Sequence, residues 1–154
     1  MKAVSYYFSS VMKDITCLGG ITFYFILLVF SYFFDLTVFY KLLIGAVLIY
    51  AINVPLKLLA FKDRPLKMSY KALWEKFEAS SFPSVHSARA VFLALVFYTI
   101  PVPLILKAFV FLIAAFIIFS RVYLKKHFWS DAIAGIIIGL LIFYLTEKIV
   151  IFLA

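Results

Sequence analysis

Apolar residues in this chain come in long runs and polar ones in short clusters, and that alternation sketches an architecture. A helix needs about 20 apolar residues to cross the hydrocarbon of a bilayer. Five runs approach that length: Leu18 to Phe34, Val38 to Phe61, Ser87 to Ile100, Pro103 to Leu124 and Ser130 to Ala154. The third is the shortest and has to borrow from its flanks. Stretches such as Ile113 to Phe119 and Ile136-Ile137-Ile138 lack the period-two alternation of a half-buried strand. Helices also satisfy their own backbone polar groups, which lipid cannot do. The pattern therefore predicts an all-α integral membrane protein, a compact bundle of about five transmembrane helices. Residues 1–154 form a single membrane domain, with no room for a second.

Two segments outside the runs have helical periodicity of a different kind. In residues 1–16, Val4, Phe8, Val11 and Ile15 recur on one side while Lys2, Ser5 and Lys13 lie elsewhere. That pattern predicts an N-terminal interfacial helix that lies along the membrane surface instead of crossing it. Tyr70, Leu73, Trp74 and Phe77 recur at i, i+3, i+4 and i+7, opposite Lys71, Glu75, Lys76 and Glu78, and predict a second short interfacial helix. Membrane anchoring is the simpler role for both, and a lid over a site is the alternative.

Composition agrees with the pattern. The chain is 67% apolar and 20% aromatic, with a mean hydropathy of +1.14, which places it among membrane proteins. Its formal charge of +8 does not imply nucleic acid, because the basic residues gather in membrane-flanking loops. Anionic lipid head groups and the bilayer are the partners expected there. The single Cys17 excludes an intramolecular disulfide. No signal peptide is expected, since the first apolar run starts late and lacks a small-residue cleavage site.

The polar clusters carry the chemistry. They read Lys57-x6-Arg64-Pro65, then Pro83-Ser84-Val85-His86, then Ser120-Arg121-x5-His127-x3-Asp131, and they hold both histidines of the chain. Ionisable groups near hydrocarbon are expensive to keep and are candidates for function. Taken singly, each has a plainer reading. A histidine at the interface is usually solvated, Lys57, Arg64 and Arg121 suit snorkelling anchors, and Asp131 suits a helix cap. Lys62, Lys67, Lys125 and Lys126 read as anchors, Arg89 as either a phosphate or a head-group contact, and Gly135-x3-Gly139 as close packing within the bundle. Topology weighs against the plain readings for the core set. With five crossings, the three clusters all emerge on one face.

Gathered there, Lys57, Arg64 and Arg121 make a cationic cradle for an anion, and the two arginines can fork onto oxygens. Ser84 and the backbone N–H of Val85 sit at a helix start, where unpaired N–H groups and the dipole favour phosphate. His127 and Asp131 are four apart and share a helical face. A carboxylate bonded to one ring nitrogen would aim the lone pair of the other at phosphorus. Phosphoryl transfer needs mainly positioning and positive charge, and no clustered carboxylates suggest a metal, so neither metal nor cofactor is expected.

In their order and spacing these motifs resemble the type 2 phosphatidic acid phosphatase family, over Lys57 to Asp131. Its superfamily also includes vanadium-dependent haloperoxidases and glucose-6-phosphatase. The chain departs from the family in having Val85 where glycine is usual, and in offering five runs where membrane members usually have six. The resemblance implies that His127 is a nucleophile forming a phosphohistidine and that His86 protonates the leaving oxygen and then activates water. It implies a membrane lipid phosphate as substrate: a polyprenyl pyrophosphate, phosphatidylglycerophosphate, phosphatidic acid or lipid A 1-phosphate. A phosphotransferase of the same fold and a non-catalytic lipid-binding membrane protein are the alternatives. With so few polar residues left outside the cradle, little discrimination among head groups is expected. All Lys and Arg except Lys41, Lys107 and Lys148 fall on the motif face, which by the positive-inside rule is cytoplasmic. The resemblance implies the opposite, and the outer face of a cytoplasmic membrane is the expectation adopted. Oligomeric state stays open.

Overall fold

The computed structural model describes residues 2–153, except for the side chains of residues 2–5, Leu73 and Trp74. The contributions expected of Val4 and Trp74, and the last residue of the fifth run, lie outside the described residues. Seven helices and no strand occur among the described residues: α1 (Lys2–Cys17), α2 (Ile21–Phe34), α3 (Leu36–Leu59), α4 (Leu73–Ala79), α5 (Val85–Thr99), α6 (Leu104–Tyr123) and α7 (Trp129–Leu153).

Five of them form the bundle foreseen from the runs, but they are unequal. α3, α6 and α7 have 24, 20 and 25 residues and are apolar enough to cross a membrane. α5 has 15 residues and α2 has 14, so at 1.5 Å per residue each is only about 22 Å long or less. The shortfall of α2 has a local cause. Leu18, Gly19 and Gly20 interrupt the first run, and α1 and α2 meet there at a 42° bend. Asp35 ends α2 and starts α3: its Oδ1 accepts hydrogen bonds from the N–H groups of Thr37 and Val38 at 2.8 and 3.1 Å.

α1 is amphipathic as expected. Met12 is buried and Ile15 packs toward Ala90, Ala114 and Ile117, while Tyr6, Tyr7 and Val11 stay exposed. Phe8 meets the ring of Tyr123 edge-on at 5.1 Å, which lays α1 along the last turns of α6. The second short helix begins after Tyr70, the first residue of its periodic pattern. It runs over Leu73–Ala79 because Glu75 Oε2 reaches back to the N–H groups of Lys71 and Ala72, at 2.5 and 3.2 Å. Tyr70 precedes it and rests on Phe61.

α5 is the central helix, and it touches α7 backbone to backbone. A Cβ on Gly135 would lie 2.4 Å from the Ser84 carbonyl oxygen, and one on Gly139 would lie 2.6 Å from that of Ala88. Those two glycines seat α7 against the start of α5, as small residues do between membrane helices. Phe92, Ala88, Val96, Ile49 and Ile142 complete the core around α5. At the end opposite the motifs, Lys41 on α3 pairs with Glu147 on α7 at 2.8 Å, and its Nζ donates to Thr99 Oγ1 on α5 at 3.3 Å.

Candidate active site

The three motifs converge on a cavity of about 720 Å³ at one end of the bundle. Of the residues singled out in the sequence, Lys57, Arg64, Val85, His86, Arg121 and His127 line it. Ser84 and Asp131 are fully buried behind its wall.

His127 is placed by the way α6 ends. Lys125 takes a left-handed backbone conformation (φ 54°), and the N–H groups of Lys126 and His127 then both turn back onto the Arg121 carbonyl, at 3.0 and 3.2 Å. The imidazole is 2% exposed, and its Nδ1 lies 2.6 Å from the carbonyl oxygen of Ser81. A carbonyl only accepts, so Nδ1 carries the hydrogen and Nε2 keeps its lone pair. Burial, and then the positive charges of Arg121, Lys57 and Arg64, hold the ring pKa far below its usual value, at about 3. The bond to Ser81 offsets only part of this. At neutral pH the ring is therefore an uncharged base.

The expected bond between His127 and Asp131 is replaced by another arrangement. Asp131 Oδ1 accepts from Lys62 Nζ at 2.6 Å, and Oδ2 accepts from the Phe128 N–H at 2.9 Å. Its backbone carbonyl accepts from the Ser84 N–H at 3.1 Å. An ammonium within reach offers a carboxylate a charge-assisted bond that a neutral ring cannot match. Lys62, which reads as an anchor in the sequence, also donates to Ser130 Oγ at 2.9 Å and sits over the Phe128 ring. Asp131 thus braces the loop carrying His127 and the first residue before α5, while the Ser81 carbonyl fixes the imidazole.

The cations are held by neutral partners. Lys57, 3% exposed, donates to the Ser80 carbonyl at 2.6 Å. Arg64 donates to the Glu78 carbonyl. Arg121 Nη1 donates to Thr16 Oγ1 at 2.9 Å. Among the described residues none of the three pairs with a carboxylate, and the Nε of each arginine is buried without a partner. Cationic groups with spare donors are what an anion site requires.

Ser84 turns out to be a cap. Its Oγ accepts from the Ser87 N–H at 3.4 Å and from Ser87 Oγ at 2.9 Å, which leaves its own O–H free to donate. The N–H groups of Val85 and His86, in the first turn of that helix, have no partner within it.

Several contributors were not foreseen. Ser80 and Ser81 are fully buried. The Ser81 N–H donates to the Lys62 carbonyl at 2.8 Å and its Oγ to that of Asp63 at 3.1 Å, joining the two loops. The α1–α2 bend also forms part of the wall, through Thr16, Cys17, Gly20 and Ile21. Gly19 is pressed against the site, and a Cβ there would fall 2.7 Å from Ile117 Cγ2 and 3.3 Å from His86 Cδ2. Phe77 lines the cavity beneath Lys57, 5.1 Å from its ammonium. Among the described residues no group of three or more His, Cys, Asp or Glu side chains is placed to hold a metal.

A sequence model of the PAP2 superfamily matches residues 38–152. No curated protein matches the chain. Solved structures do. LpxE of Aquifex aeolicus is 26% identical, with a TM-score of 0.78 over 92% of this chain and 86% of that one. A transmembrane PAP2-type phosphatidylglycerolphosphate phosphatase of Bacillus subtilis is 28% identical, with a TM-score of 0.70 over 93% of this chain and 76% of that one.

Proposed function

From the premise that this chain belongs to the PAP2 superfamily, we propose that it is a membrane lipid phosphate phosphatase working through a phosphohistidine. The observation that carries the reading is the His127 ring, tied through Nδ1 to the Ser81 carbonyl and facing a cavity lined by Lys57, Arg64 and Arg121.

The terminal phosphoryl group of a lipid enters the cradle, and its three equatorial oxygens take the spare donors of the cations and the free N–H groups at the start of α5. His127 Nε2 attacks phosphorus, the bond to the bridging oxygen breaks, and its electron pair leaves with that oxygen. His86 supplies a proton where the leaving oxygen is an alkoxide, then takes one from the water that cleaves the N–P bond. Charge in the transition state is met by preplaced cations, as phosphoryl transfer requires, and the mechanism uses no metal or cofactor. The cavity opens beside apolar surface, so the substrate's tail stays in the bilayer. The solved structures resembling the chain include a phosphatidylglycerolphosphate phosphatase, and that lipid, lipid A 1-phosphate and polyprenyl diphosphates are the substrate classes to examine. The reading places the site at the outer face of a cytoplasmic membrane.

The test is phosphate release by the purified protein in detergent from a panel of lipid phosphates, with excess EDTA present. Brief exposure to labelled substrate should leave an acid-labile, base-stable label on the wild type and none on His127→Ala. Vanadate, which takes up five-coordinate geometry, should inhibit. Full activity in His127→Ala, or activity lost to EDTA and restored by magnesium, would overturn the reading. Transfer to an added lipid acceptor in place of water would make the protein a phosphotransferase.

A further inference from the structure

The cavity carries more cationic side chains than the three of the cradle, with one carboxylate, Glu78, in its lining. Beyond Lys57, Arg64 and Arg121 it is lined by Arg89, on α5. Arg89 is 6% exposed, and its Nε and Nη1 are buried with no hydrogen-bond partner among the described residues. No carboxylate pairs with it. The neutral groups acting on it are the tyrosines Tyr50 and Tyr24, and the Tyr24 hydroxyl is already committed as donor to the Leu42 carbonyl at 2.6 Å. Burying a guanidinium unpaired is costly. A protein that needed Arg89 only to fill space would do better with a leucine or methionine.

Its position says what it is for. Arg89 follows His86 by three residues and shares its helical face, about 4.5 Å further along α5. Because α5 begins at the site and runs toward the opposite end of the bundle, Arg89 lies deeper in the membrane than His86. The terminal phosphoryl group occupies the cradle at the mouth, and the rest of the lipid must extend from it toward the bilayer. Arg89 therefore lies on the leaving-group side of the bond that breaks.

We propose that Arg89 is a subsite for a second phosphate carried by the leaving group, and that the substrate class is lipid diphosphates, in preference to lipid monophosphates. The inference rests on the phosphatase reading of the same site. A diphosphate places its second phosphorus one bridging oxygen beyond the first, on the side where Arg89 lies, about 4.5 Å along α5 from His86. When His127 Nε2 bonds to the terminal phosphorus, the anhydride P–O bond breaks and its electrons stay on the bridging oxygen. That oxygen becomes part of a lipid monophosphate, already a stable anion that needs no proton to depart. Arg89 neutralises the charge that develops on it. The lipid monophosphate then leaves as product, because with its only phosphate in the cradle it has nothing to place against Arg89.

The experiment compares a polyprenyl diphosphate with the matching polyprenyl monophosphate, in one detergent, for the wild type, Arg89→Gln and Arg89→Lys. The wild type should favour the diphosphate and release one phosphate per molecule before stopping. The ratio of kcat/KM for diphosphate over monophosphate should fall by about thirtyfold in Arg89→Gln, as expected when a charged partner of a bound anion is lost. It should be partly restored in Arg89→Lys, which keeps the charge without the fork. A wild type that shows no preference overturns the proposal without any variant, as does a ratio unaltered while both activities fall together. His127→Ala separates the two layers: continued phosphate release there defeats the phosphatase reading, whereas a dead His127→Ala beside an unaltered ratio defeats only the role of Arg89.

Discussion

Each end of this bundle buries cations, and the two ends treat them differently. Opposite the motifs, Lys41 lies 2.8 Å from Glu147 and 3.3 Å from Thr99, so one carboxylate and one hydroxyl tie α3, α5 and α7 together. At the motif end, Lys57, Arg64, Arg89 and Arg121 converge on a single cavity with carbonyls, a hydroxyl and tyrosines as their company. Of the carboxylates there, Asp131 is engaged with Lys62 and the Phe128 backbone, and Glu78 lines the cavity without forming an ion pair with any of the four cations. The contrast separates charge that joins helices from charge held ready for a ligand. A cation satisfied inside the chain is structural, and one left with spare donors around a cavity is set to receive an anion.

The largest effect that would sharpen this contrast comes from the nucleophile. His127→Ala should lower kcat by roughly three orders of magnitude or more, with helicity by circular dichroism and detergent-solubilised yield unchanged. Residual turnover within tenfold of wild type would remove the site end from its side of the comparison. Next, Gly135→Leu should cost about 3 kcal/mol or more, because its side chain meets the Ser84 backbone and neither can yield. It should act on stability and activity together, since Ser84 begins the helix that carries His86. A normal thermal midpoint would show that α5 and α7 have more freedom than their contact implies.

At the far end, Glu147→Gln should destabilise by about 2 kcal/mol, below the range for a fully buried pair because Glu147 is 27% exposed. It should leave kcat/KM close to wild type. Adding Lys41→Met should recover most of the stability, and a loss of activity in the single variant would break the division between the ends.

The last effect is absent at neutral pH and appears only in acid. The His127 ring titrates near 3 when folded against 6.5 as its ordinary value. Between those limits the unfolded chain holds the proton that the folded one refuses, so stability rises with pH across that window and is lost as pH falls from about 6.5 toward 3. His127→Asn, which does not titrate, should flatten part of the acid slope of chemical unfolding. An identical slope would mean that the ring is protonated in the folded protein.

Much of this was visible in the sequence because it was written in side chains. Long apolar runs located the bundle helices to within a few residues, and the order of Lys57, Arg64, His86, Arg121 and His127 placed them on one face. What stayed hidden was written in the backbone. The partner of His127 is the carbonyl of Ser81, and every residue has a carbonyl. Lys62 looked like its neighbours Lys67 and Lys125 until two loops zipped together and brought it to Asp131. The wall contributed by the α1–α2 bend carried no charged signature, only Gly19 and Gly20 in an apolar run. Arg89 was legible as a residue but not as a depth, because the length and direction of α5 give it that meaning.

That length has a consequence for how the protein meets its solvent. At 15 residues, α5 is about 22 Å long against roughly 30 Å of hydrocarbon in an average bilayer, while α7 beside it has 25 residues. α5 is enclosed by its neighbours, so lipid meets a comparable shortfall at α2, which has 14 residues, exposes Phe25, Ile26, Phe30 and Phe33 and lines the cavity at Ile21. The bilayer beside α2 must dimple or thin to match, at a modest cost per ångström of mismatch. The dimple would carry neighbouring head groups down toward His86 and Arg89. Elastic strain in the lipid would then set local access, and reconstituted turnover should fall as acyl chains lengthen at constant surface mole fraction of substrate. Turnover indifferent to chain length would mean that the substrate climbs to the site and the membrane does not descend to it.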